Sequence, residues 1–145
     1  MKLGTRFAMA LALLFVPLVV SAQFRDLDQA LSKLSRGFGN GDAQAIVSGI
    51  AENEQVVLQF PGLAKESGPF GRDQAQYLLD GLFNRVKPTS FEEVNSRKDS
   101  KEGQHHIVGR WTILVGGKPQ ARDLYITLRI NGDRYTLLSV TSGSK

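Results

Sequence analysis

The spacing of apolar residues changes once along this chain, and that change constrains the fold more than any single motif. Up to Val86 they recur mostly every three or four positions. From Ser90 onward they alternate with polar residues. A period near 3.6 specifies amphipathic helices and a period of two specifies strands, so helices are predicted first and a sheet afterwards.

In the first part, Leu27, Ala30, Leu31, Leu34 and Phe38 share one helical face. Asp26 and Asp28 stand at its start, where the positive end of the helix dipole favours carboxylates. Gly37, Gly39 and Gly41 around Asn40 end it. Asp42 is a suitable cap for a short second helix carrying Ala45, Ile46, Val47 and Ile50. Gln55–Phe60 is short, rich in β-branched residues and stopped by Pro61-Gly62, which predicts a strand. After a loop from Gly62 to Gly71, a third helix presents Ala75, Leu78, Leu79, Leu82, Phe83 and Val86, and ends at Lys87-Pro88.

Four strands are predicted in the second part: Phe91–Arg97, His105–Val115, Arg122–Ile130 and Tyr135–Thr141. Gly116-Gly117 and Asn131-Gly132 are tight hairpin signals, and the turn near Lys101-Glu102-Gly103 is looser. Such short connections force antiparallel neighbours, because parallel ones need long crossovers. The fold class is therefore α+β: a curved antiparallel sheet wrapped around three helices that lie in the N-terminal half. At 145 residues the chain suits one domain.

The first 22 residues read as an address and not as part of that domain. Lys2 and Arg6 precede an uncharged run from Phe7 to Val20, and Val20-Ser21-Ala22 offers small residues to a signal peptidase. As a helix the run spans about 21 Å, short of the roughly 30 Å of hydrocarbon in a bilayer. The expected mature domain is residues 23–145, periplasmic or secreted. Two of the 18 basic residues leave with the leader, so the formal charge of +4 falls to about +2. That balance, one tryptophan and the lack of a basic stripe argue against nucleic-acid binding. With no cysteine, disulfides, thiolate metal sites and a cysteine nucleophile are excluded.

The order of elements resembles the nuclear transport factor 2-like superfamily, and within it an exported bacterial family called domain of unknown function 4783. The stretches that carry the likeness are Ala30-Leu31-Ser32-Lys33 with Gly41-Asp42-Ala43, and Phe70-Gly71-Arg72-Asp73-Gln74-Ala75 leading to Leu82-Phe83. Pro88-Thr89-Ser90-Phe91, Ile107-Val108-Gly109 and the hairpin Leu128–Leu138 complete them. The resemblance implies a cone-shaped sheet around three helices, and a homodimer formed through the outer sheet face. It covers nearly all of residues 25–142, but its motifs are caps, core faces and turns, and they carry no chemistry.

Each candidate for chemistry has a structural counter-reading. Steroid-isomerase-like members use a tyrosine in the first helix, and Arg25–Phe38 contains none. On His105–Val115 one face carries His105, Ile107, Gly109, Trp111, Ile113 and Val115 and suits the core. Neighbouring His105 and His106 then point to opposite faces and cannot converge on one metal ion. Neither can be tied to a serine by spacing, and no Gly-x-Ser-x-Gly elbow exists. Arg72-Asp73 and Arg122-Asp123 read as surface pairs. Uninterrupted alternation from Phe91 turns Glu93 and Asn95 inward and makes Glu93 the best acid for the hollow, whereas a bulge leaves it in solvent. Val108, Leu114, Tyr125, Leu138 and Val140 alternate onto the outer face.

The expected function is a non-catalytic exported domain binding a small apolar ligand or a protein partner, without cofactor or metal. Phe60, Phe83, Glu93, Trp111 and Tyr135 are its expected lining. The alternative is a cofactor-free acid–base enzyme, isomerase- or dehydratase-like, that uses Glu93 beside Trp111 and Tyr135.

Overall fold

The computed structural model describes residues 23–143, so the expected leader lies outside the described residues. Helix α1 (Leu27–Asn40) starts where Asp26 accepts a hydrogen bond from the Gln29 N–H at 2.7 Å. Ala30, Leu34 and Phe38 are fully buried along its inner face. It stops at Gly41, whose φ of 74° lies in the left-handed region that a side chain disfavours. Asp42 then caps α2 (Ala43–Val47) through the Ala45 N–H.

Strand β1 (Val56–Gln59) and β2 (Gly68–Phe70) precede α3 (Arg72–Arg85), and β3 (Val86–Asp99), β4 (Gln104–Val115), β5 (Lys118–Asn131) and β6 (Arg134–Ser142) follow. The strand order β2-β1-β6-β5-β4-β3 leaves a curved, unclosed sheet with β2 and β3 at its edges. The β3–β6 meander is antiparallel throughout, as the turn signals predict. Gly116 and Gly117, with φ of 58° and 80°, make the two-residue loop from β4 to β5.

Three features of the element order and topology differ from the sequence reading. The Gly62–Gly71 loop contains β2, which pairs antiparallel with β1. The sheet is mixed, because β1 runs parallel to β6; the whole of α3 and the meander separate them, ample length for a crossover. The third helix also gives way to β3 at Val86, so Pro88 lies within a strand. An edge strand accepts a proline because its missing N–H can face away from the ladder.

The meander carries three bulges, the first at Thr89 in β3, and the other two decide which of the expected site residues face the hollow. Glu93 pairs with Gly109 and Asn95 with Val108, so Val94 is an extra residue in β3. Thr127 pairs with Ser139 and Leu128 with Leu137, so Leu138 is extra in β6. An inserted residue reverses the alternation beyond it. Val140, expected outside, is therefore fully buried in the core, and Leu138 is half-buried. The apolar outer face narrows to Val108, Leu114 and Tyr125, with the last 49% exposed.

Arg122 also departs from its expected surface position. It shares parity with Leu124 and is buried opposite Trp111. Its guanidinium donates from Nη1 to the Pro61 carbonyl at 2.7 Å and the Gly143 carbonyl at 3.3 Å, tying the turn after β1 to the end of β6. Arg72 behaves similarly, donating to the Ile50 carbonyl at 2.7 Å, whereas Asp73 and Asp123 are exposed.

Candidate functional site

The concave side of the sheet divides into a filled region and a polar one. Trp111, on β4, is fully buried, and the rings of Phe38, Phe60 and Phe83 lie 5.7, 6.0 and 6.3 Å from it, centroid to centroid. Phe38 packs in turn on Phe83 and Phe91, each at 6.0 Å. The one polar atom of this cluster is satisfied internally: Trp111 Nε1–H donates to the Phe38 carbonyl at 2.8 Å. Gly109 belongs here because a Cβ on it would fall 2.2 Å from the Phe91 ring. The structure thus joins three of the five residues expected to line a hollow, Phe60, Phe83 and Trp111. It uses them as core.

Tyr135 and Glu93 lie elsewhere. Tyr135, at the start of β6, is half-buried and meets the His105 ring edge-on, centroids 6.2 Å apart. Its backbone exchanges hydrogen bonds with Phe24 at 2.8 and 2.9 Å. Glu93 takes the register position of the concave face, opposite Gly109, yet it is exposed on the edge strand. The inward, buried carboxylate that the acid–base reading requires is absent at this position. Asn95, also expected inward, is turned to the outer face by the Val94 bulge.

The same bulge makes a contact that spacing alone did not offer. Beyond Val94, Ser96 faces the hollow opposite Ile107, and Lys98 pairs with His105. Ser96 Oγ and His105 Nε2 are hydrogen-bonded. His105 is 7% exposed, and its Nδ1 is buried with no hydrogen-bond partner. Burial holds the imidazole below its ordinary pKa; Glu93 pulls the other way, and His106 and Lys98 add to the lowering. His105 is therefore a neutral imidazole at pH 7, with one nitrogen engaged and the other idle. His106 points to the outer face, where Nδ1 lies 3.2 Å from Thr127 Oγ1, so the two histidines do diverge. The sequence reading set His105 on the inner face of its strand but missed Ser96 and the contact between the two. Their signal was positional: one extra residue between Glu93 and Ser96 places both on one face.

No family model matches the chain, and no curated protein matches it by sequence. Its likeness is to solved structures. A DUF4783 family protein from Bacteroides ovatus superposes with a TM-score of 0.62 at 15% identity, over 77% of this chain and 91% of that one. An NTF2-like protein from Anabaena variabilis gives 0.57 at 18% identity, over 80% and 84%. A hypothetical protein with a ketosteroid isomerase-like fold from Catenulispora acidiphila, in complex with trimethylamine, gives 0.60 at 11% identity, over 79% and 83%. The fold is nuclear transport factor 2-like. Its structural neighbours include DUF4783 family proteins, a family defined without a function.

Proposed function

We propose that this protein is an exported bacterial domain that binds a small amphipathic ligand non-catalytically at the polar end of its concave face. The observation carrying the reading is His105 Nδ1, a buried ring nitrogen without a partner. Leaving such a group unpaired costs about 1–3 kcal/mol, and a ligand's polar head is one way to recover it. The Tyr135 ring beside it offers apolar surface, and the half-exposed Ser96 and exposed Glu93 lie on the same face at its edge. The Trp111 cluster contributes rigidity and not volume, since its polar atom and ring faces are already engaged. Export rests on the leader pattern of residues 1–22, which puts the mature start at Gln23, one residue before buried Phe24.

Native mass spectrometry of the protein purified from its own host tests the binding. The expected spectrum contains a species heavier than the bare mature chain, and this species is lost in the His105→Ala variant. A single mass equal to the polypeptide from Gln23, under conditions that preserve non-covalent complexes, would refute the ligand. The same spectrum checks the cleavage site.

A further inference from the structure

Strand β3 has 14 residues and forms a free edge of the sheet, while β2, at the other edge, has three. A long edge strand is a template for another strand. The stretch here reads Glu92-Glu93-Val94-Asn95-Ser96-Arg97-Lys98, exposed except at half-buried Ser96, with acids before the bulge and bases after it. None of these four charges belongs to an intrachain ion pair among the described residues. Val94, at the bulge, is 60% exposed.

We propose that this edge pairs with β3 of a second copy, antiparallel, about a two-fold axis between Val94 and Asn95. The reason is charge order combined with face parity. An acid-then-base strand is complementary to itself when reversed. Within one copy, pairing with β4 places Glu92, Asn95 and Arg97 on the outer face, opposite Arg110, Val108 and His106. It places Glu93, Ser96 and Lys98 on the concave face, opposite Gly109, Ile107 and His105. In an antiparallel ladder, directly opposed residues must share a face. The proposed axis sets Glu92 against the second copy's Arg97 on the outer face, twice by symmetry. It also sets Glu93 against Ser96 on the concave face, with Lys98 on the diagonal. Moving the axis onto Asn95 would oppose Glu92 to Lys98, which lie on different faces because of the bulge. The inserted residue thus selects one register, in which the two bulges face each other and the charges pair. The result is one sheet running through both copies, with the two polar ends around His105 brought near the junction.

Charge exchange tests this. In sedimentation equilibrium of the mature domain at about 100 μM, within reach of a small, weak interface, the native chain is expected to form a dimer that weakens with salt. Glu92→Lys with Glu93→Lys should be monomeric alone, and so should Arg97→Glu with Lys98→Glu. An equimolar mixture of the two double variants should form heterodimers, which also shows that both fold. All four substitutions together should restore the homodimer. A monomeric native chain, failure of the mixture to associate, or a dimer indifferent to these charges but broken by Tyr125→Asp would overturn the proposal. The last result would place the interface on the outer sheet face.

Discussion

Gly49 touches Phe24 so closely that replacing it with alanine should displace a residue 25 positions earlier in the chain. An added Cβ would lie 2.2 Å from both Cε2 and Cζ of Phe24, far inside any carbon–carbon contact. Gly49 is held by its own carbonyl, which accepts from the Leu137 N–H at 2.7 Å, so the ring has to yield. Phe24 is 1% exposed and lies near the expected mature N-terminus, so it can swing out. Its exit forfeits about 2–3 kcal/mol of burial and two backbone bonds to Tyr135 worth about 1 kcal/mol each, roughly 4–5 kcal/mol in all. Phe24→Ala alone leaves a cavity and should cost about 3–5 kcal/mol. In the double variant the new methyl enters the vacated space, so the pair should cost about the same as Phe24→Ala alone, not the sum of the two. Urea denaturation of the mature domain and its three variants closes the cycle. Additivity to within about 0.5 kcal/mol would show that Gly49 and Phe24 do not compete for space, and the reasoning would fail.

Two further outcomes follow from the buried polar groups. His105 has a lower pKa folded than unfolded, so on acidification the unfolded chain takes up its proton first, from about pH 6.5 downward. Its contribution to stability should be full above that value and fall through the window between the unfolded and the lower native pKa. Denaturation midpoints measured from pH 8 to pH 5 should show this loss in the native chain and a shallower one in His105→Gln; parallel profiles would contradict the assignment. Trp111→Phe should destabilise by about 2 kcal/mol or more, because it strands the Phe38 carbonyl and opens a cavity among the rings of Phe38, Phe60 and Phe83. Near-native thermal stability of that variant would mean that the cluster is not the keystone of the core.

The helices were legible because their causes are local. Asp26 and Asp42 cap as their positions suggest, and Ala30, Leu34 and Phe38 are buried where the spacing puts them. The hairpin at Gly116-Gly117 is likewise a property of a few adjacent residues. The candidate site was only partly legible. Trp111 and Tyr135 do face the concave side, but Trp111 belongs to the core and Tyr135 to the His105 end, a division invisible to alternation. Glu93 illustrates the limit: its face followed from parity, whereas its exposure depends on which element covers β3 at that point.

The amino-acid order by itself determined the two periods, the helix caps, the hairpin turns and hence an antiparallel meander following three helices. Each of these is settled by interactions within a few residues. Only the tertiary structure decided where the meander is interrupted. A sheet bending around helices accommodates its curvature with extra residues, those at Val94 and Leu138 in addition to Thr89, and their positions depend on the whole assembly. Because one inserted residue reverses every side chain beyond it, those two choices sent Val140 into the core, Asn95 out of the hollow and Ser96 onto His105.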